Sequence, residues 1–315
     1  AGYIAPRHMK AIKETNNNLI AALDKNDSIG VIDSYFPEAD FFIEPERFDR
    51  HLSKLKRIAE KKIDYVSICS PNFLHDAHIR LAIRNEAHAI CEKPIVLNPW
   101  NIEALKELEN ESGKNIYTIL QLRYHDSILK LKNEVEKNKK DEKQEIDLTY
   151  ITGRGQWYQY SWKGDIAKSG GIATNIGIHF FDMLCWIFGP MESSVVHYSD
   201  SWKAAGFLEL KNARVRWFLS VDANDVPKEF KEKGKRTFRS IQIGGEEIEF
   251  SDGFTDLHTA SYSEILAGKG FRINDAMPSV TIAHSIRNSV PIGKKGDYSP
   301  ILDGEFSSIL NNSCV

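Results

Sequence analysis

The chain has 315 residues, 42% of them hydrophobic and 27% charged, with a formal net charge of -3. That length and composition suit two globular domains, and the absence of a long basic run leaves no electrostatic case for nucleic acid or an anionic membrane surface; small molecules are the expected partners. The longest apolar segments read as interrupted well short of a membrane span and no signal-peptide pattern opens the chain, which predicts a soluble, cytoplasmic protein. Cys69, Cys91, Cys185 and Cys314 lie far apart without a Cys-x-x-Cys pair, as reduced core residues do.

In chain order, Ala1-Gly2-Tyr3-Ile4 leads into a helical pattern with Met9 and Ile12, and an apolar run at 19–23 closes on Asp24. Turn, helix and acid-terminated strand match the second half of a dinucleotide-binding βαβ unit, whose glycines admit a pyrophosphate at a helix N-terminus and whose acid takes the ribose hydroxyls. Such a unit does not start at its turn, so further residues are expected before Ala1. A helix with a charged face is predicted over about 49–62, a buried strand at 63–69 stopped by Ser70-Pro71-Asn72, and a helix over 75–87. The apolar run from His88 to Cys91 then delivers Glu92-Lys93-Pro94. Ligands of open parallel sheets bind beyond the carboxyl ends of strands, and Pro94 keeps Lys93 out of helical geometry. A helix at 99–111 and a strand at 116–120 complete an alternation that predicts a doubly wound, Rossmann-type parallel sheet over residues 1–120. His75 and His78 lie three apart on one helix without an evident third ligand, so no metal site is expected.

From 121 to 315 the pattern changes to alternating stretches at 145–153, 195–198, 205–210, 215–222, 236–243 and 246–250, with Gly244-Gly245 a hairpin signal. These predict an α+β domain with a large, mostly antiparallel, open-faced sheet. The alternation of Val215, Trp217, Leu219 and Val221 predicts an apolar face that pairs with a copy of itself. Within this half, Asn175, His179 and Asp182 fall at i, i+4 and i+7 of an otherwise apolar helix. A buried, hydrogen-bonded histidine accounts for that segment alone; paired with Lys93, the same imidazole suits proton removal from an alcohol whose hydride a nicotinamide receives.

Gly2-x-x-x-Pro6-x-His8, Ser70-Pro71-Asn72-x-x-His75, Glu92-Lys93-Pro94 and Gly170-Gly171 leading to Gly177-x-His179-x-x-Asp182 together resemble the glucose-fructose oxidoreductase/inositol dehydrogenase superfamily over essentially the whole chain. More closely, Gln121-Leu122-Arg123, Trp157-Tyr158, Ser161-Trp162-Lys163-Gly164-Asp165, residues 214–222 and Gly253-Phe254-Thr255-Asp256-Leu257-His258 resemble bacterial UDP-N-acetyl-2-amino-2-deoxyglucuronate dehydrogenases. Those enzymes oxidise the sugar's C3 hydroxyl with NAD during lipopolysaccharide O-antigen synthesis. The resemblance implies NAD, a UDP-sugar, 2-oxoglutarate as a possible second substrate, and a homotetramer.

It further implies that Gly2, Tyr3 and Ile4 lie against the pyrophosphate and Asp24 against the adenosine ribose. Ser70, Pro71, Asn72, His75 and Gln121 would flank the nicotinamide half, with Glu92 and Lys93 reaching its ribose and the reacting hydroxyl. Lys93 and His179 are the implied proton-transfer pair, and Trp157 and Asn175 implied sugar contacts; Asn175 stands where much of the superfamily has aspartate. Arg123, Lys163, Lys168, Arg236 and Arg239 are the cations considered for the substrate's carboxylate and pyrophosphate, since anionic oxygens favour Arg and Lys. Another NAD-dependent sugar or polyol dehydrogenase, and a non-catalytic sugar-nucleotide-binding protein, are the alternatives on the same fold.

Overall fold

The structure, a computed structural model, describes residues 2–26, 29–138, 142–248 and 256–304. The chain divides into one unit made of Ala1–Tyr124 and Gly253–Met277 and a second made of His125–Asp252 and Pro278–Val315. The one boundary expected near residue 121 is thus joined by two later crossings.

In the first unit, β1 (Ala21–Leu23) pairs in parallel with β2 (Asp40–Phe42). A separate parallel ladder runs in the order β3 (Tyr65–Ile68), β4 (His88–Cys91), β5 (Ile116–Thr118). Two ladders therefore replace the continuous sheet expected, with no strand between them among the described residues. Ala89, Ile90 and Cys91 of β4 are each at most 1% exposed, which is why this strand is written as an unbroken apolar run. The helix expected at 49–62 instead spans Pro45–Leu55, because a proline in the first turn supplies helical φ at no hydrogen-bond cost. The late helix Leu257–Leu266 returns to this unit, packing Tyr262 and Ile265 with Ala11, Ile12, Ile90, Tyr117 and Ile119.

The second unit is built on a six-stranded sheet of β6 (Gln144–Arg154), β7 (Met191–Ser199), β8 (Lys203–Leu210), β9 (Ala213–Asp222), β10 (Thr237–Ile243) and β11 (Glu246–Glu247). Its order is β11-β10-β6-β9-β8-β7, antiparallel throughout except for the parallel pair β6 and β9. That exception arises because the chain leaves β6 through helices, enters β7 in the direction of β6 and then reverses twice along the meander β7-β8-β9, an even number of reversals.

Val215, Trp217, Leu219 and Val221 are fully buried, and the Trp217 ring meets Phe181 edge-on at 5.6 Å. The stripe expected to pair with a copy is therefore covered by the chain's own helix Ile178–Phe188, a correction that follows from the size of the indole and phenyl groups filling that space. On the alternate positions, Phe218 joins Ile151, Ala205, Val226, Phe238 and Ile301 in a smaller core. Further along the same side, Arg216 forks onto Asp147 at 2.7 and 2.8 Å, and Arg214 bonds Glu145 at 3.0 Å. The run Ile166–Phe188 is 23 residues long and apolar enough to cross a membrane by length and composition, contrary to the sequence expectation, but 78% of its apolar 18-residue window is buried in the protein. It is the core helix of this unit.

Candidate active site

The parallel strands of the first unit end on the segments that carry polar chemistry. β4 hands the chain to Glu92, Lys93 and Pro94, and β3 leads to Ser70 and Pro71. His75, 1% exposed, ties the two ends together: Nδ1 lies 2.6 Å from the Pro94 carbonyl oxygen and Nε2 2.8 Å from that of Ser70. Burial holds its pKa below the ordinary imidazole value despite those two carbonyls, which favour the protonated ring. His78 Nδ1 is 2.9 Å from the Ser70 hydroxyl, so both imidazoles are spent on strand ends. Lys93 is half-buried, and its amide donates to Glu92 Oε2 at 3.2 Å. The other Glu92 oxygen lies 3.0 Å from His8 Nε2 and 2.9 Å from His258 Nε2. The carboxylate thus faces the interior of the unit, where the sequence expectation had it reaching a ribose.

Three features fit a dinucleotide. The turn Gly2–Ile4 opens the helix Ala5–Glu14, Tyr3 is 82% exposed, and a Cβ on Gly2 would meet nothing within 4 Å, so the helix start is open to a phosphate. Asp24 follows β1 directly and accepts the Asn26 amide at 2.9 Å. Beyond β5, the buried Oε1 of Gln121 has no hydrogen-bond partner, an acceptor in need of an N–H such as that of a carboxamide.

In the second unit, the residues around Gly170 are shaped by close approach. A Cβ on Gly170 would lie 2.7 Å from the Thr174 side chain, whose hydroxyl donates to the Gly170 carbonyl at 2.7 Å, and φ there is +81°. From Ala173 to Gly177 the chain takes a π-helical turn before the α-helix Ile178–Phe188. A π turn carries more residues than an α turn, so Asn175, His179 and Asp182 do not keep the straight stripe that α-helical counting predicts. Asn175 instead donates through Nδ2 to the Tyr158 hydroxyl at 2.6 Å, while His179 is half-buried and Asp182 is 3% exposed. Lys163 Nζ stands 5.0 Å from the Trp157 ring centroid and 5.7 Å from that of Trp162. Burial lowers its pKa, and the Arg154 charge lowers it further. The Arg154 charge is felt by both Lys163 and the Tyr158 phenol, and no ion pair joins Arg154 to a carboxylate among the described residues.

A model of the oxidoreductase family's NAD-binding Rossmann fold matches residues 1–119, and one of its C-terminal alpha/beta domain matches 143–236. The chain belongs to the GFO/IDH/MocA oxidoreductase family. Among solved members, the WlbA (WbpB) dehydrogenase of Thermus thermophilus in complex with NAD and alpha-ketoglutarate is 50% identical, with 96% of this chain and 97% of that one covered and a TM-score of 0.92. Its complex with NAD and UDP-GlcNAcA gives a TM-score of 0.90 over 94% of each chain. The myo-inositol 2-dehydrogenase of Thermotoga maritima is 26% identical over 42% of this chain, and the D-glucoside 3-dehydrogenase of Escherichia coli 26% over 48%. The chain spans only 38% and 48% of the lengths of these two curated relatives.

Within this GFO/IDH/MocA chain, the structure gathers Gly2, Tyr3, Ile4, Asp24, Ser70, Pro71, Asn72, His75, Glu92, Lys93 and Gln121 in the first unit. Trp157, Lys163, Asn175 and His179 lie in the second. Arg123, 5% exposed, donates to the Asp275 carbonyl at 3.0 Å and stacks 4.7 Å over Phe271, so it braces the late segment within the first unit. Lys168 pairs with Asp165 at 3.1 Å on the surface, Arg236 is exposed, and Arg239 lies over Tyr150 at 5.4 Å. Arg154, Tyr158, His8 and His258 escaped the sequence reading as site residues. His8, Tyr158 and His258 stood in the quoted family phrases, the one signal available for them. Of the phrase 253–258, residues 253–255 lie outside the described residues, as does Cys314; Cys69, Cys91 and Cys185 form no disulfide among the described residues.

Proposed function

We propose that this protein is an NAD-dependent dehydrogenase that oxidises the C3 hydroxyl of UDP-GlcNAcA to the 3-keto sugar, in the cytoplasm, for lipopolysaccharide O-antigen synthesis. The observation that carries this reading is the 50% identity, over nearly the whole of both chains, to a dehydrogenase held with NAD and with that sugar nucleotide.

Gly2, Tyr3 and Ile4 would hold the pyrophosphate at the helix start, Asp24 the adenosine ribose, and the open Gln121 oxygen the carboxamide. Bound NAD supplies the acceptor for the hydride leaving C3. The Lys93 amine and the His179 imidazole serve the same hydroxyl, one taking its proton as the C–H bond breaks and the other passing it toward solvent. Tyr158 orients Asn175 for a sugar hydroxyl, and Arg154 with Lys163 receives the sugar's carboxylate, which relieves the repulsion between them. The presence of alpha-ketoglutarate in a Thermus complex favours a second step in which the reduced cofactor is reoxidised in place by that keto acid. Assembly as a homotetramer belongs to the same reading.

The test is absorbance at the nicotinamide wavelength with UDP-GlcNAcA, other UDP-sugars, inositols and glucosides, each with and without 2-oxoglutarate. Turnover confined to UDP-GlcNAcA is expected; preference for a free polyol would move the assignment elsewhere in the family. Light scattering is expected to give four times the chain mass.

A further inference from the structure

The first unit contains a buried chain of polar groups that the reaction above does not use. Ser67 Oγ lies 2.6 Å from the Tyr262 hydroxyl, which lies 2.8 Å from His8 Nδ1. His8 Nε2 reaches Glu92 Oε1 at 3.0 Å, His258 Nε2 reaches the same oxygen at 2.9 Å, and the Lys93 amide reaches Oε2. His8, Glu92, Tyr262 and His258 are 1%, 6%, 3% and 2% exposed. They come from four separate parts of the chain: the first helix, the end of β4, the helix Leu257–Leu266 and, through Ser67, β3.

The hydrogens in this chain run one way. A carboxylate only accepts, so both imidazoles donate through Nε2; His8 Nδ1 then accepts from Tyr262, whose oxygen accepts from Ser67. His258 Nδ1 has no hydrogen-bond partner among the described residues. Burial together with the Glu92 charge drives the thiols of Cys69 and Cys91 and the Tyr262 phenol upward in pKa, so the field of this carboxylate is felt by its neighbours. The ligand atoms of His8, Glu92 and His258 lie within 4.8 Å of one another, the spacing of a metal triad. The 2.9 and 3.0 Å contacts are nevertheless ordinary hydrogen bonds that satisfy Oε1 without an ion.

We propose that Glu92, the shared acceptor of His8, His258 and the Lys93 amide, is an electrostatic determinant of the protein's relative affinity for the oxidised and the reduced nicotinamide cofactor, with His8 and His258 as the positioning residues that hold it. This rests on the NAD reading above, in which Lys93, the next residue, stands beside the nicotinamide. The oxidised ring is cationic and the reduced ring neutral, so a fixed negative charge under the end of β4 stabilises one form and is indifferent to the other. At an effective dielectric of about 20, one buried charge beside a cationic ring shifts the ratio of the two affinities on the order of ten-fold.

The experiment is titration of the full chain with NAD and with NADH, reading the ratio of the two Kd values. Relative to the native protein, Glu92→Gln is expected to shift that ratio toward NADH about ten-fold, whereas Glu92→Asp, which keeps the charge, retains it. His258→Phe, which removes one donor to the carboxylate, shifts it in the same direction as Glu92→Gln and keeps the proposal testable if the glutamine variant does not fold. A merely structural role would weaken both cofactors alike and leave the ratio in place, and that result overturns the proposal. Stoichiometric divalent metal in the purified protein also overturns it. If the native protein binds neither cofactor, the NAD reading itself fails; equal ratios in native and variant proteins that bind both sink only this proposal.

Discussion

Lys93 leaves a strand buried on both faces, and its backbone is pinned on one side by its own bond to Glu92 and on the other by His75 holding the Pro94 carbonyl. The pinned backbone fixes where the lysine side chain starts, and its flexible four-carbon stem carries the amine from there to the reacting hydroxyl. Lys93→Met keeps most of the stem volume and removes the amine, and turnover is expected to fall by roughly 10²–10⁴ while NAD affinity holds; His179→Asn is expected to behave alike. If the two act as a unit, the double variant is little worse than the poorer single one. Near-normal turnover in Lys93→Met, measured with UDP-GlcNAcA on protein shown to be folded, would assign the proton elsewhere. At this scale the sequence showed the lysine and missed its surroundings. Glu92-Lys93-Pro94 is contiguous and follows an apolar run, so it is visible; His8 and His258 meet at Glu92 from opposite ends of the chain, and no local period links them. The partners of Arg123 were hidden for the same reason, since nothing near it in sequence announces Asp275 and Phe271.

Elements were read well where one face of a strand or helix is buried and poorly where two elements approach more closely than side chains allow. The alternation of β9 placed Trp217 inside the sheet's apolar stripe, but what covers that stripe depends on Gly177 and Gly206, whose absent side chains carry no periodic signal. A Cβ on Gly206 would lie 2.3 Å from the Val195 carbonyl and 2.4 Å from Trp217 Cζ2. Neither backbone nor a fully buried indole gives way, so Gly206→Ala is expected to cost about 1–3 kcal/mol, seen as a lower denaturant midpoint with an unchanged slope. At Gly177 the nearest atoms are the ends of Leu219 and Phe181 at 2.6 and 2.8 Å, which rotate more readily. Gly177→Ala is therefore expected to lose less, and the opposite order would contradict this packing. The π turn before the helix was illegible for a similar reason: it answers to the Gly170–Thr174 contact and to Tyr158, not to hydropathy.

For the whole molecule, the buried polar groups make stability depend on pH in one direction. Burial holds His8 and His75 below the ordinary imidazole pKa. Burial alone would raise Glu92, but the bonds from His258 and His8 bring it well below the carboxylate range. Each of these groups takes up a proton more readily in the unfolded chain, so their contribution is complete above about pH 6.5 and is lost as pH falls, first through the histidines and then, below about 4.3, through Glu92. The urea midpoint at pH 5.5 is expected to lie below that at pH 7.5; an unchanged midpoint would show that the network is not a folding determinant.

Because Tyr262 and Ile265 close the core formed by Ile90, Tyr117 and Ile119, the nucleotide-binding half cannot be finished in the order in which it is synthesised. The segment beginning at Gly253 leaves the ribosome long after Tyr124. At roughly 5–20 residues per second the interval is about 6–26 s. For that time the nascent chain carries an open apolar floor where the helix Leu257–Leu266 will lie, and codons that slow translation between the two segments lengthen the exposure. Its yield in a cell is therefore expected to depend on the speed of translation through the middle of its message, which expression from messages recoded between the two segments checks.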